Sequence, residues 1–333
     1  MHGTVATFQQ PYLEAMKRLL GVVGVLAFVL LGPQVVRVQT GGQDGSIGLE
    51  GLVREGSTVR VSEHVYVIPD RNAPLVPNIG IVVGSRATLV VDTGLGPINA
   101  QTVLREVEKL ARGTELYVVS THYHPEHAAG EMSFPETARV VRARAQQQDI
   151  DERGADSLLR FRGFSPLVEE LLAGVRYRAA DTIFDREHEI DLGELRVRLM
   201  AWGPTHTRGD TMVFVPEDHV LIAGDVVMKD RFLVFVSPES SLDTWITVLQ
   251  DLEPLQPRHI VPSHGALGDG SLLATQRTYL ERVQARVREL RAAGVTVEDA
   301  AATLTEELRA VYPDWVGDRW IDGAARSAYR EAP

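Results

Sequence analysis

Leu116-Tyr117-Val118-Val119-Ser120-Thr121-His122-Tyr123-His124-Pro125-Glu126-His127 is an apolar run that ends in four metal-ligand side chains within six residues. In extended backbone, residues two apart point the same way, so His122 and His124 can reach one ion together. Pro125 turns the chain, which lets Glu126 and His127 address a second, neighbouring point. Imidazoles with one carboxylate suit zinc, and less decisively iron or manganese. The chain has only ten histidines. A chance surface cluster of this density is the weaker reading, because such groupings mark metal or catalytic sites.

Three later segments each place a ligand-type residue at or near the end of an apolar strand. They are Gly203-Pro204-Thr205-His206-Thr207-Arg208-Gly209-Asp210, Val220-Leu221-Ile222-Ala223-Gly224-Asp225 and His259-Ile260-Val261-Pro262-Ser263-His264-Gly265. Carboxyl ends of strands are where open α/β layers carry their sites. Singly each segment is weak, since an Asp after Gly is usually a turn. Their order after the first cluster makes them strong together.

With these motifs in hand, the chain resembles the metallo-β-lactamase superfamily over roughly residues 57–270. Asp92 in Val90-Val91-Asp92-Thr93-Gly94 matches the first motif, and His122-x-His124-x-Glu126-His127 the second. His206, Asp225 and His264 match the third, fourth and fifth. The resemblance implies an α/β fold, a four-layer αββα sandwich with metals in the cleft between the sheets. It implies that His122, His124 and His206 bind a first metal, that Glu126, His127 and His264 bind a second, and that Asp225 bridges them. A bridging aspartate is closer to the glyoxalase II, lactonase and general hydrolase branches. The absence of cysteine excludes the cysteine-bearing lactamases. The family usually has aspartate where Glu126 stands, one methylene shorter. Either the backbone compensates or the second metal binds loosely, because ligand distances tolerate only about ±0.2 Å.

The chemistry expected is that of a zinc-dependent hydrolase with two ions. Zinc lowers the pKa of bound water to about 7, so a metal-bound hydroxide is available to attack a small ester, thioester, lactone or β-lactam. Asp225 and Glu126 are the expected catalytic carboxylates. Asp92 is expected to hold a ligand or its loop, against the plainer reading of a turn aspartate. Two alternatives use the same residues. One is a mononuclear iron enzyme like the persulfide dioxygenases, on His122, His206 and Asp225; the other is a non-catalytic periplasmic protein that binds a metal or cofactor.

Composition bounds these readings. With 333 residues, 44% apolar and 24% charged, the sequence is ordinary for a globular protein. A net charge of −11 leaves no basic footprint for nucleic acid and argues against the nuclease branches. The expected partner is a small molecule, and nothing in the sequence speaks to oligomeric state. Residues 16–31, Met16-Lys17-Arg18 followed by an uncharged apolar run to Leu31, have the form of a secretory signal. Met16 reads as the start, and export to the periplasm or beyond is expected. The run falls short of the ~20 residues that span a bilayer. No small-x-small cleavage site follows it, so an uncleaved anchor is the alternative and the one route to a membrane.

Residues 1–56 therefore read as signal and linker, 57–270 as the metal-binding domain and 271–333 as a C-terminal helical extension. Strands are predicted at Val59–Ser62, Val65–Pro69, Ile79–Val83, Ala87–Asp92, 116–120, Glu189–Leu192, Leu195–Trp202, Thr211–Val215 and Val220–Ala223. A helix opens at Pro97, and Ser157–Leu172, Thr244–Leu252, Leu272–Ala292 and Val297–Val311 also read as helical. His64, His188, His219 and His259 read as turn, strand-end or surface groups.

Overall fold

The computed structural model describes residues 52–333, which lie in one compact unit. The proposed signal segment lies outside the described residues. A seven-stranded sheet runs in the order β1 (Val59–Arg60), β2 (Val65–Ile68), β3 (Ile79–Val83), β4 (Ala87–Val91), β5 (Glu115–Val119), β6 (Arg139–Ala143), β7 (Thr182–Phe184). A five-stranded sheet runs β12 (His259–Pro262), β11 (Val220–Gly224), β10 (Met212–Val215), β9 (Arg196–Met200), β8 (Glu187–Asp191).

Strand alternation separates the layers. Val65, Val67, Val82, Leu89 and Val91 point inward and meet Val197, Leu199, Val213, Val215 and Ile222 of the second sheet. Their neighbours Ile79, Ile81, Val90 and Val118 point outward, under Ala100, Val103 and Val107 of helix α1 (Gly96–Leu110). On the far side, Met200, Met212, Phe214, Leu221 and Ile260 lie under an outer helical layer. Both faces of each sheet are thus covered, which is why β3, β4 and β11 read as continuous apolar runs rather than alternating ones. The result is an αββα sandwich.

Two connections position the site. Short helix α2 (Pro125–Ala128) follows β5 directly. Residues 144–172 form α3 (Arg144–Arg162) and α4 (Pro166–Leu171). The single helix expected over Ser157–Leu172 is therefore two. Pro166 disfavours helical backbone at Ser165, which is extended (φ −164°, ψ 162°), and the Ser165 hydroxyl accepts from Val168 N at 3.2 Å to start α4.

The C-terminal helices complete the outer layer. α5 (Leu242–Leu252), α6 (Ser271–Ala292), α7 (Val297–Val311) and α8 (Ile321–Glu331) all bury apolar side chains in one cluster with the outer face of the five-stranded sheet. Residues 271–333 share that core: Tyr279, Leu280 and Val283 of α6 pack in the same cluster as Leu304 of α7 and Ile321 of α8. Among the described residues no helix is long and apolar enough to cross a membrane.

Candidate metal centre

Parallel pairing puts the decisive loops on one edge. β4 runs parallel to β5, with Val91 opposite Val119, and β11 runs parallel to β12, with Gly224 opposite Pro262. Asp92, the 122–127 segment, Asp225 and His264 therefore leave their sheets on the same side. His206 comes from the β9–β10 loop. Gly224 (φ +59°) allows the two edges to close: a Cβ there would come within 2.8 Å of the Thr121 Cβ.

The predicted residues come together as three overlapping groups: His122, His124 and His206; His122, His127 and Asp225; and Glu126, His127 and His264. Within each group the ligand atoms lie within 4.8 Å of one another. His122 Nε2 and His206 Nε2 lie 3.0 and 3.1 Å from His124 Nδ1. Nitrogens bound at about 2.0–2.1 Å around a tetrahedral ion would stand about 3.3 Å apart, so this spacing fits one cation. Asp225 sits between the groups, with Oδ2 3.6 Å from His206 Nε2. Its Oδ1 is 3.8 Å from both His127 Nε2 and His264 Nε2.

Protonation also fits. Burial, then repulsion from neighbouring imidazoles, holds His122 and His124 well below the usual histidine value, so they are neutral as ligands must be. Burial lowers His264 as well. Burial raises Asp225, but the His264, His206 and His127 imidazoles outweigh it and keep the carboxylate ionised. Burial pushes Glu126 up to about 7. At His127 burial is outweighed by Asp92, with Asp225 and Glu126 adding to it, and the imidazole rises to about 9. Here a proton compensates the carboxylates that a metal would otherwise neutralise. His127 Nε2, Glu126 Oε2 and Asp225 Oδ1 are all buried without a hydrogen-bond partner, an arrangement that costs free energy unless a cation is present. The donor set fits a metal.

Supporting contacts orient the rings. His127 donates from Nδ1 to Asp92 Oδ2 at 2.9 Å, and His206 from Nδ1 to the Val234 carbonyl at 2.6 Å. Thr121 N donates to Asp92 Oδ1 at 2.7 Å, and its hydroxyl lies 3.1 Å from Asp92 Oδ2 and 3.3 Å from His122 Nδ1. Sequence reasoning passed over Thr121, although its place between β5 and His122 was a usable signal. It also passed over Glu131, which accepts from Ser120 at 2.7 Å and Arg142 at 2.5 Å in a buried pair behind the 120–127 loop.

Asp210 accepts from Thr205 and Thr207, on either side of His206, and so supports that loop, whereas Arg208 turns to Glu152 at 2.8 Å. The other histidines stand apart. His64 is not a free surface group: its Nδ1 lies 2.8 Å from Asp218, tying the β1–β2 turn to the β10–β11 turn. His188 stacks on Phe184 at 5.8 Å. His259 is exposed and His219 sits in the β10–β11 turn, neither within a metal group.

On one rim of the site, the Phe161 ring centroid lies 6.0 Å from that of His124 and 4.8 Å from that of Phe164. The Arg160 guanidinium stands 5.5 Å from the Phe161 ring centroid.

A family model described as the metallo-beta-lactamase superfamily matches residues 72–264, more than half of the chain. Acyl-coenzyme A thioesterase MBLAC2 of Homo sapiens is 27% identical over 199 residues, covering 55% of this chain and 70% of the relative. Among solved structures, the inverting sec-alkylsulfatase Pisa1 from Pseudomonas sp. superposes with a TM-score of 0.65 at 14% identity. That match covers 82% of this chain and 50% of the sulfatase. The metallo-beta-lactamase family protein TTHA1429 from Thermus thermophilus gives 0.56 at 18%, covering 80% and 91%.

Proposed function

The chain belongs to the metallo-β-lactamase superfamily, and on that premise we propose that it is a zinc-dependent hydrolase with two ions that cleaves a small carbonyl ester, a thioester above all. The observation that carries this is the convergence of buried, unpartnered His127 Nε2, Glu126 Oε2 and Asp225 Oδ1 beside the His122–His124–His206 group. This second set of ligand-type atoms beside the first supports two ions rather than one. His122, His124 and His206 would hold one ion, Glu126, His127 and His264 the other, with Asp225 shared. Bound there, the ions would polarise the substrate carbonyl and make water nucleophilic at neutral pH.

The protein's own part is placement. Asp225 faces both groups and is held ionised, so it can accept a hydrogen bond from the attacking water and direct it. Glu126 offers a second acceptor on the other side. Asp92 fixes the His127 ring through Nδ1. The thioester preference draws on the likeness to a protein named as an acyl-coenzyme A thioesterase. It also draws on the apolar surface near His124, where the buried Phe161 ring carries the exposed Phe164 ring against it, as a place an acyl chain would lie.

Purified protein is expected to carry two zincs per chain by elemental analysis. It should release free thiol from acyl thioesters in a reaction that a chelator abolishes and zinc restores. One iron per chain with oxygen consumption would return the dioxygenase reading. Zinc without turnover on thioesters, esters, lactones or a chromogenic β-lactam would leave only a binding protein. Export is proposed from residues 16–31 alone: a reporter active only outside the cytoplasm should be active behind residues 16–56, and an inactive fusion counts against it.

A further inference from the structure

His264 differs from the other candidate ligands in how it is held. Its side chain is 17% exposed, against 0% for His127 and 2% for His206. The rings of His127 and His206 are anchored by Asp92 and by a carbonyl, whereas the His264 ring has no hydrogen-bond partner among the described residues. Apart from an edge-on contact with the His127 ring, 5.6 Å between centroids, its direction comes from its backbone.

That backbone is gripped from the other sheet. Asn78 N donates to Ser263 O at 2.6 Å. The Asn78 side-chain amide donates from Nδ2 to Pro262 O and to Gly265 O, both at 2.8 Å, bracketing His264. Asn78 Oδ1 accepts from Asp70 N at 2.8 Å, and Gly265 N donates to Asp70 Oδ2 at 2.8 Å. Ser263 N completes the segment by donating to Gly224 O at 3.0 Å, one residue before Asp225. Both Asn78 and Asp70 are buried, in the loop between β2 and β3. Both donors of the amide are spent on carbonyls that would otherwise be buried and unpaired.

We propose that Asn78, backed by Asp70, is the positioning residue for the second half of the metal centre, setting where His264 stands relative to Glu126, His127 and Asp225. The inference rests on the two-ion reading above. It has a physical consequence for selectivity: none of the Asn78 hydrogen bonds goes to His122, His124 or His206, so its loss should fall chiefly on one half-site.

Asn78→Asp keeps the acceptor for Asp70 N and turns the two-carbonyl donor into a repelling oxygen. Zinc titration of metal-free protein should show the tighter event unchanged and the second weakened about 10–100-fold, the usual cost of disturbing a ligand's support. Cobalt substitution gives an independent readout, with the absorption of the second ion altered and that of the first retained. Asp70→Ala removes the acceptor for Gly265 N, together with the local one for Asn72 N, and should weaken the second event in the same direction, and it carries the test if Asn78→Asp does not fold. An unchanged second event, or equal weakening of both events, overturns the assignment, as does failure of both variants to fold, which would make the pair a core element. If the unaltered protein takes up a single ion, the two-ion reading itself has failed and the inference with it. Two ions in the unaltered protein with unresponsive variants would remove the inference alone.

Discussion

Asp92 Oδ2 stands 2.9 Å from His127 Nδ1, and Asp92 makes this contact from left-handed backbone at φ +69°. A non-glycine residue there is uncommon, and Asp and Asn are the side chains that tolerate it best. The same carboxylate accepts from Thr121 N at 2.7 Å. One side chain thus fixes the strand end before His122 and the ring of His127. The relationship answers the plainer reading of Asp92 as only a turn former.

Asp92→Asn keeps the backbone preference and removes the charge, so it isolates the contact with His127. An amide nitrogen facing the His127 N–H, or an amide oxygen without the carboxylate's charge, leaves the ring less firmly set. Zinc affinity or turnover should fall about 10–100-fold. Unaltered zinc titration and rate would show that Asp92 supports the loop and not the centre.

His124 and His188 offer a paired control. His124 Nδ1 meets two other imidazole nitrogens at 3.0 and 3.1 Å, while His188 merely stacks on Phe184. His124→Ala should lose the first ion and all measurable turnover, and His188→Ala should lose neither. Equal metal contents in the two purified variants would contradict the assignment of the first group.

The site was more legible than the frame around it, for physical reasons. Ligand residues must be chemically specific and lie at strand ends, so 122–127, Asp225 and His264 declare themselves in the chain. Glu126 reads as a departure in sequence, yet the structure brings its carboxyl into the group with His127 and His264. Support residues leave no such mark. Asn78 acts through an amide that could serve any turn, and Asp70 lies 195 positions from the Gly265 it grips. Helix α8 escaped notice because its buried face is mostly Ala324, Ala325 and Ala328, too small to write an apolar period. Strands β6 and β7 lie on either side of the charged stretch that forms α3 and α4, whose helical pattern masked them.

The pH dependence of the metal-free protein has a definite sign. Unfolded histidine titrates near 6.5; His122, His124 and His264 lie below this when folded, so they contribute no slope above it. His127 is raised to about 9 by Asp92 against the opposing effect of burial. A raised histidine adds stability fully below 6.5 and loses it as pH climbs through 9. Melting temperature of the metal-free form should therefore decline from pH 6.5 to 9. With zinc bound the ion replaces that proton, so the decline should vanish and the zinc-induced gain should grow across the window. A flat profile without metal would remove the protonated His127–Asp92 pair from the account.

Glu126 gives the most discriminating substitution. It stands in α2, whose first turn is fixed: His127 N and Ala128 N both donate to the His124 carbonyl, at 3.0 and 3.1 Å, and Ala129 N to that of Pro125 at 2.9 Å. The backbone therefore has little freedom to follow a shorter side chain. Glu126→Asp withdraws the carboxylate by one carbon–carbon bond of about 1.5 Å, where ligand distances tolerate only about ±0.2 Å. The second zinc event should weaken about 10–100-fold and the rate fall with it, while the first event stays put. Tighter binding in Glu126→Asp would mean that the loop has the geometry usual for aspartate and that glutamate is the compromise. If Glu126→Asp and Glu126→Ala both bind and turn over like the unaltered protein, the residue is no ligand and the two-ion model has to be given up.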